Sequence, residues 1–511
     1  MLQESLLGAF YRAWLDSFLF SLLQRLWHGL GRLAGESWLG RLLFGPTRGD
    51  ALWSDSLLAH LIRAVMNGLV RLLRAPARWF RESAVAALLR RLFRGSAIFR
   101  FEALFGVFCC AMLAVPHALW NNTYALLGAV LFLGAYLLLV ADRRRALIQP
   151  DTLGLGLALF VLAVGLSMLF GVSRRSSLRC LFFFVAAFLL CYEVVAICQD
   201  RQRLRQLLGF LYAALLAASL IALAQRALNL VHMDESLTDA VRNANVPGRV
   251  YGPMDNPNSL AAVIQTFLPL CAAYAAATKK TWLRALLTLG LALPALALVM
   301  TYSRASWLAV ALAAAVYLYY RNKKLLPALA VLALLCIPVL PTSIVTRFAS
   351  IFNAKDSSRG HRFAIWDGVC RILSADLNWV TGIGMGSQNF QSLFPYEAEE
   401  IARNSAYHSH MLYLELDLEF GLLGLFSFLW MLLKLLGRAH RAAVRRAGTG
   451  LRLLCGGVVA ALAATGFAGL TDYVWYYPRC LFAFFLFLGV TFAALRLEER
   501  EAAGASALTE A

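Results

Sequence analysis

The chain has 511 residues, 60% of them apolar, and a formal net charge of +19. Apolar runs of about 18 residues or more recur along it, which excludes a soluble core and predicts a polytopic helical membrane protein. The Lys and Arg residues fall between these runs, where they orient helices, so the positive charge does not predict nucleic-acid binding. Most cysteines lie inside apolar runs without CxxC pairs, so neither a disulfide framework nor a metal site is predicted.

Residues 1–100 differ from the rest of the chain because they contain arginine but no lysine, with Leu and Trp at helical spacing. Gly and Arg interrupt the apolar positions every few residues, which is typical of amphipathic helices on the cytoplasmic leaflet rather than of membrane spans. A stretch that begins at Trp14 is similar to one that begins at Trp53, which indicates a duplicated helical unit. The region is either a docking platform for a partner or a membrane-surface anchor, and the anchor is favoured.

The predicted fold class is all-α: a polytopic membrane bundle of about twelve transmembrane helices over residues 101–497. The tail, residues 498–511, is rich in Glu and Ala and is predicted to be short, mobile and cytoplasmic. The predicted spans lie near residues 102–119, 123–140, 152–170, 178–198, 206–225, 259–277, 283–301, 304–320, 325–341, 408–433, 452–471 and 479–496.

The charges between the spans predict their orientation. Five basic clusters fall in alternate connections, the first at Arg143–Arg145 and the last at Arg438–Arg446. The positive-inside rule places these clusters and both termini in the cytoplasm. Basic residues on the other side cannot be explained by topology and therefore indicate a site there. They are Arg174, Arg175, Arg242, Arg249, Arg304 and a group within residues 342–407.

Residues 342–407 connect the ninth and tenth predicted spans and are predicted to form a long extracytoplasmic loop. The connection is unusually long for a membrane bundle, and a helical pattern covers Phe363–Leu373 within it. Long loops with structure of their own usually carry function. The alternative is a mobile insertion that the fold tolerates.

A turn rich in Pro and Gly precedes the sixth predicted span and carries Arg249, Asn256 and Asn258. One interpretation is hydrogen bonding to a sugar or phosphate at the entrance of the helix. The other is an Asx-type turn in which Asn258 or Ser259 caps the helix. The two interpretations are compatible, and the sequence favours neither.

The Ser303-Arg304 pair lies in the short turn between the seventh and eighth predicted spans. A guanidinium group at this depth is unfavourable unless it reaches the interface or meets an anion. Its planar shape matches two phosphate oxygens at once. The turn therefore predicts a phosphate contact, and the alternative is an arginine that extends to the interface from a helix end.

Four residues of the long loop, Arg359, His361, Arg362 and Trp366, form the next candidate group. A solvated basic face would explain these residues about equally well. Arg362 and Trp366 stand at Arg-x3-Trp spacing, which sets Arg362 apart from its neighbours.

A glycine-rich stretch, Gly382, Gly384 and Gly386, follows about twenty residues after the Arg-x3-Trp pair. Alternate glycines let backbone amides approach a phosphate or sugar closely. A dinucleotide site is not predicted, because no Rossmann-type strand precedes the glycines.

The tenth predicted span begins with two histidines, His408 and His410, and contains Gly421 and Gly424. A histidine at this position is either a general base or a neutral imidazole that packs at a helix end. The span also carries three acidic residues, which are expected to face the interior of the bundle and receive no catalytic role: Glu415, Asp417 and Glu419.

Taken in chain order, these arginines, glycines and histidines resemble the O-antigen ligase and polymerase family of membrane glycosyltransferases. The resemblance extends over roughly residues 100–496. The family motif has a His, commonly followed by Asn, Ser or Gln, eleven residues before a Gly-x-x-Gly. His410 satisfies this spacing although Met411 follows it, whereas the spacing from His408 leads to Glu419 instead of glycine. His410 is therefore predicted to be the base, with His408 as the alternative.

The resemblance implies a metal-independent, inverting glycosyltransferase without a cofactor. Its donor would be a glycan on a polyprenyl (undecaprenyl) diphosphate, and its acceptor a hydroxyl group of a glycan, lipid or protein, in cell-surface polysaccharide biosynthesis. It would lie in the bacterial cytoplasmic (inner) membrane, with its active site on the extracytoplasmic side. The implied catalytic residues are His410, Arg304 and Arg362, and the implied substrate-binding residues are Arg249, Asn256, Asn258, Arg359, Gly382, Gly384 and Gly386.

Two other classes of protein fit part of the pattern. A transporter or flippase of a glycolipid or small solute would explain the spans, but it should place its polar residues near the bilayer midplane. A non-enzymatic scaffold would fit residues 1–100, yet it leaves the outward arginines and histidines unexplained. Within the enzyme interpretation, the sequence does not separate a ligase from a polymerase.

Overall fold

The computed structural model describes most of the chain as helices joined by turns, and the part it describes contains no strand. The all-α prediction is therefore confirmed. A few isolated positions before residue 36, and residue 338, are described as well. The continuous described ranges are 36–45, 48–92, 100–143, 147–231, 248–336, 340–352, 357–397, 406–445 and 450–510.

Five helices from the first hundred residues form a layer at one end of the bundle, which we call the anchored end. The longest of them is capped by Ser56, whose hydroxyl accepts from Ala59 N (3.1 Å). Its apolar face is turned away from the protein, with Leu57, Leu61 and Val65 exposed, as expected of an amphipathic helix at a membrane surface. The five helices are α1 (Trp38–Phe44), α2 (Arg48–Ser54), α3 (Leu57–Leu72), α4 (Arg74–Glu82) and α5 (Ala84–Leu92).

The helices that follow begin the bundle. Eight helices of the described chain are long and apolar enough to cross a membrane, and two shorter apolar helices accompany them. Helical structure coincides with every predicted span. However, the seventh span is divided at Leu291, and the ninth is a helix of only 11 residues, shorter than a membrane span requires. The count of twelve spans therefore stays a prediction. This part contains α6 (Phe101–Ala114), α7 (Thr123–Arg143), α8 (Leu155–Phe170), α9 (Arg174–Ile197), α10 (Arg201–Ala227), α11 (Pro257–Ala276), α12 (Thr281–Gly290), α13 (Ala292–Met300), α14 (Arg304–Asn322) and α15 (Leu326–Cys336).

The long connection, residues 342–407, is mostly helical where the structure describes it, with turns or loops at residues 375–377 and 382–386. Ile365 and Val369 pack with Phe390 and Phe394 in a small core of their own, separate from the main core of the bundle. This core gives the connection a fixed shape against the bundle. Its helices are α16 (Thr342–Ala349), α17 (Ser357–Ser374), α18 (Asn378–Thr381) and α19 (Ser387–Glu397).

The last three helices complete the bundle and supply its centre. The apolar part of the final helix is 94% buried and that of α11 is 83% buried, whereas α12 and α13 together are only 17% buried. The final helix continues beyond the predicted end near residue 496, and Glu498 in that extension pairs with Arg445 (3.1 Å). The helices are α20 (Leu412–Val444), α21 (Gly450–Ala468) and α22 (Pro478–Glu510).

Contacts between helix ends define the opposite end of the bundle, which we call the site end. Leu412 N donates to Gly469 O (2.8 Å), which joins the start of α20 to the end of α21. Asn256 Nδ2 donates to the hydroxyl of Tyr477 (3.3 Å), which joins the connection before α11 to the connection before α22. Most of the polar residues predicted to form the site therefore come from segments that meet in one place.

Candidate active site

Arg249 fixes the segment before α11 onto the neighbouring helix junction. Its Nε donates to Thr301 O (2.7 Å) and its Nη2 donates to Asn258 Oδ1 (2.7 Å). Burial, together with the positive charge of Arg347, lowers the pKa of Arg249 to about 10. The guanidinium group therefore stays charged at neutral pH although the protein surrounds it.

The two asparagines of this segment hydrogen-bond within the protein. Asn256 caps α11, because its Oδ1 accepts from Asn258 N (2.8 Å). The predicted Asx-type turn is thus present, but Asn256 is the cap rather than Asn258 or Ser259. Asn258 instead orients Arg249 through its side-chain oxygen.

Arg304 is the first residue of α14 and points toward the long connection. Its Nη1 donates to Ser350 Oγ (2.8 Å), and Ser350 Oγ donates in turn to Arg347 O (2.8 Å). Tyr302 lies two residues before Arg304 and has a positive φ of 53°. Its hydroxyl forms a hydrogen bond with the hydroxyl of Ser343 (3.1 Å). The tight turn and the connection thus hold Arg304 from both sides.

These contacts gather several arginines around one carboxyl group. The pKa of Arg249 is lowered by burial and then by the charge of Arg347, with smaller contributions from Arg304 and Arg362, while Asp472 opposes them. Burial raises the pKa of Asp472, and the charges of Arg362 and Arg249 oppose that rise. Arg249 and Arg362 therefore lie within electrostatic range of Asp472, and Arg304 and Arg347 lie within range of Arg249. The arginines outnumber the carboxyl group, and this excess of positive charge suits a polyanionic ligand.

Two histidines lie beside this arginine cluster. The ring centroids of His408 and His410 are 4.1 Å apart, and His410 has a positive φ of 53°. Such a φ is uncommon for a residue other than glycine, so neighbouring contacts must hold the turn. Two of them involve the residue between the histidines: Trp366 Nε1 donates to Ser409 O (3.0 Å), and Ser409 N donates to Glu415 Oε2 (2.6 Å).

Both imidazoles are neutral in the folded protein. Burial and the charge of Arg362 lower the pKa of His408 to about 3. Burial, His408 and the charges of Arg362 and His361 hold the pKa of His410 well below its usual range. His410 Nδ1 is buried and, among the described residues, has no hydrogen-bond partner, so the protein leaves the hydrogen-bonding capacity of this nitrogen unused.

The glycines of the long connection pack against other parts of the protein. Gly382 and Gly421 both have positive φ, 72° and 64°, and an added Cβ on Gly421 would lie 2.1 Å from Val380 O. Ile383 N donates to Leu418 O (2.7 Å) at the point where α20 is interrupted. The loop therefore closes the break in α20, and only glycine permits this approach of two backbones.

Gly384 and Gly386 make equally close approaches on the other side of the loop. A Cβ on Gly384 would lie 2.3 Å from Gly171 Cα, and one on Gly386 would lie 2.7 Å from Cys180 Sγ. The amide of Gly386 donates to Glu419 Oε1 (2.7 Å). In this structure the three glycines thus position the loop between α9 and α20.

An open cleft of about 600 Å³ lies next to the histidine pair. His408 lines it and His410 does not. Glu419 also lines the cleft and accepts from the hydroxyl of Tyr473 (3.0 Å) as well as from the loop amide. The cleft is lined by side chains that include Arg175, Arg179, His408, Glu419, Tyr473 and Tyr476.

The structure brings together some of the predicted site residues and not others. Arg249, Arg304 and Arg362 form the cluster beside His410, whereas the side chain of Arg359 lies outside the described part of the chain, as does Arg242. Sequence reasoning did not assign a role to three residues that the structure places at the site. Arg175 and Arg347 each had one signal, a basic side chain on the predicted outer side, whereas Asp472 had none.

The O-antigen ligase family model matches residues 289–429 of the chain. The matched region contains Arg304, Arg362 and His410 together with the glycine loop, and it excludes Arg249. No curated protein matches the chain. The match supports an O-antigen ligase-like membrane protein of polysaccharide biosynthesis, with glycosyltransferase-like activity.

Proposed function

We propose that this protein is a membrane glycosyltransferase that transfers or polymerises a glycan from a polyprenyl (undecaprenyl) diphosphate donor onto an acceptor hydroxyl. The reaction takes place at the outer face of the bacterial cytoplasmic membrane, on the side opposite the basic connections. One observation carries the proposal: Arg249, Arg304 and Arg362 converge beside two neutral histidines at one end of an apolar helical bundle. The O-antigen ligase match supports it.

The arginines bind the diphosphate and stabilise it as the leaving group. Arg249 is already oriented by Thr301 and Asn258, and Arg304 by Ser350. Fixed cations need no reorganisation when negative charge develops on the leaving oxygen, which is the condition for strong electrostatic catalysis. No metal ion is required for this step in the proposal.

His410 removes the proton of the acceptor hydroxyl. The hydroxyl oxygen forms a bond to the anomeric carbon of the donor sugar while the bond from that carbon to the diphosphate oxygen breaks, with inversion. The proton passes to the imidazole and the electron pair to the diphosphate. Binding of the diphosphate also neutralises Arg362, one of the charges that keep the pKa of His410 low, so the donor makes the base stronger.

The other predicted contacts act around this centre. Arg359 binds a sugar or phosphate group of the donor, and the long connection covers the sugars. Asn256 and Asn258 contribute by holding the turn and the guanidinium group of Arg249. Gly382, Gly384 and Gly386 hold the loop against α9 and the break in α20, and Gly386 also lines the cleft beside His408.

The direct test is transfer by the purified full chain. The protein is incubated in detergent with a lipid-diphosphate glycan, several acceptors and a metal chelator, and the products are identified by mass spectrometry. We expect transfer, and we expect His410→Ala to reduce kcat by roughly 100-fold or more, the usual effect of losing a general base. Arg304→Ala and Arg362→Ala should reduce it by a similar factor.

Two matched variants control for general effects. His60→Ala removes an exposed histidine of α3, and Arg371→Ala removes an exposed arginine on the same helix as Arg362. Both should keep full activity. Absence of transfer to every acceptor by the parent protein would overturn the proposal, and full activity of His410→Ala would overturn the role of His410.

A further inference from the structure

The cleft beside His408 has a basic wall that the proposed reaction does not use. Arg175 and Arg179 line it, one helical turn apart on α9. Both side chains are exposed, and within the described part of the chain neither forms an ion pair with a carboxylate. Side chains four residues apart on a helix face the same way, so the two guanidinium groups can bind one anion together.

The carboxylates of the cleft are engaged elsewhere. Glu419 accepts from the amide of Gly386 and from the hydroxyl of Tyr473. Glu415 accepts from Ser409 N. These bonds fix the two carboxylates within the lining of the cleft, and in the described part of the chain neither forms an ion pair with Arg175 or Arg179.

The remaining walls of the cleft suit a sugar. Tyr473, Trp475 and Tyr476 line the cleft. Tyr476 is the exposed one of the three, at 37%, and an exposed aromatic face can bind the apolar face of a sugar ring. Asn122 lines this cleft and also a second, shallower hollow of about 390 Å³ formed with Trp120 and neighbouring residues. The two hollows therefore adjoin at Asn122, and we call them together the groove.

The groove and the arginine cluster are separate places. None of Arg249, Arg304 and Arg362 lines the groove, whereas His408 does and its ring contacts that of His410. Inversion requires the acceptor and the leaving group to lie on different sides of the reacting carbon. A groove that reaches the histidine pair from outside the arginine cluster provides that arrangement.

We propose that this groove binds the accepting end of an acidic glycan, with Arg175 and Arg179 on a carboxylate or phosphate group near the accepting hydroxyl. The inference rests on the proposed function, because it assigns the acceptor side of the same reaction. It makes the two arginines determinants of acceptor specificity, outside the catalytic group.

The test is a binding measurement that needs no turnover. Isothermal titration calorimetry compares a glucuronic-acid-terminated oligosaccharide with the matching glucose-terminated one, using the full chain in zwitterionic nanodiscs. We expect the acidic probe to bind at least tenfold more tightly. The double variant R175Q/R179Q should lose this tenfold preference and keep its affinity for the neutral probe.

Arg174→Gln is the matched control, because Arg174 is exposed on the same turn and does not line the groove. It should bind both probes like the parent. The inference would be overturned if the parent bound the two probes equally well. It would also be overturned if Arg174→Gln lost as much of the preference for the acidic probe as R175Q/R179Q. A preference that is present in zwitterionic nanodiscs and lost in anionic ones would overturn it too, since the arginines would then bind lipid headgroups in the membrane.

A transfer assay separates the two proposals. If the parent binds the acidic probe through Arg175 and Arg179 but transfers no glycan to any acceptor, the glycosyltransferase proposal fails and the anion site stands. The other outcome is that the parent transfers glycan equally well to acidic and neutral acceptors, and that R175Q/R179Q leaves the KM for each acceptor unchanged. The glycosyltransferase proposal then stands, and the proposal of an acidic acceptor is refuted.

Discussion

Replacing Gly421 with alanine should test whether the glycine loop sets the geometry of the site. Gly421 has φ 64° and ψ −172°, a backbone conformation that is essentially restricted to glycine and costs other residues about 1–3 kcal/mol. The new Cβ would also lie 2.1 Å from Val380 O, whereas ordinary contacts begin near 3.4 Å. The loop would therefore have to retreat by about 1.3 Å, the difference between those distances.

A displacement of this size should be visible in catalysis. A shift of about 1 Å at a catalytic centre can reduce the rate by roughly 100-fold, and the loop carries the Gly386 amide that holds Glu419. We expect a lower melting temperature and about 100-fold slower glycan transfer. Melting is followed by intrinsic fluorescence of the detergent-solubilised protein, and transfer by product mass spectrometry.

Two further variants make the result decisive. Gly165→Ala changes a glycine of α8 that has nothing within 4 Å of the added Cβ, so it should melt and react like the parent. Gly382→Ala meets backbone atoms at 2.8 Å and should show the same defects as Gly421→Ala in milder form. Parent-like melting and transfer in Gly421→Ala would refute the reasoning.

Three other predictions concern separate contacts. Trp366→Phe removes the hydrogen bond to Ser409 O and should lower kcat by roughly 2- to 10-fold with an unchanged KM for the donor; an unchanged kcat would contradict the positioning role. Below pH 6.5 the unfolded chain protonates His408 while the folded one does not, since its folded pKa is about 3. His408 should therefore contribute a fall in the unfolding free energy of about 1.4 kcal/mol per pH unit from pH 6.5 toward 4 in urea titrations, and the slope should be smaller by this amount in His408→Phe. Arg63→Ala leaves the mostly buried carboxylate of Asp151 without its partner at 2.6 Å. The melting temperature should therefore fall, while glycan transfer per folded molecule is unchanged. A parent-like melting temperature would argue against a role for this pair in anchoring α3 to the bundle.

The sequence predicted those features that depend on local pattern. Apolar runs predicted helices, and a helix is present at every predicted span. Turn residues and charges located Arg304 and the histidine pair at helix ends, because a polar group is unfavourable within an apolar run. Alternation of the basic connections then predicted that Arg249, Arg304 and His410 would lie at one end of the bundle.

The sequence did not predict the features that depend on packing between distant segments. Arg347 and Asp472 belong to the cluster only because α16 and the turn after α21 meet there. Alternate glycines indicate that another group approaches the backbone closely at Gly382, Gly384 and Gly386. The spacing does not say whether that group is a ligand or another part of the protein. In the structure the contacts are with α9 and with the break in α20. Helix caps have the same ambiguity, since Asn256 and Asn258 have similar propensities and only the structure identifies the cap.

Arg362 connects the two halves of the site and implies an order of events. Its charge lowers the pKa of His408 and His410, and it also lies close enough to Arg249 and Asp472 to affect theirs. In the proposed reaction, the imidazole of His410 is therefore a weak base until the donor binds. A diphosphate bound to the arginines would offset the charge of Arg362 and raise the basicity of the imidazole. The proposal thus predicts that the donor binds before the acceptor hydroxyl gives up its proton.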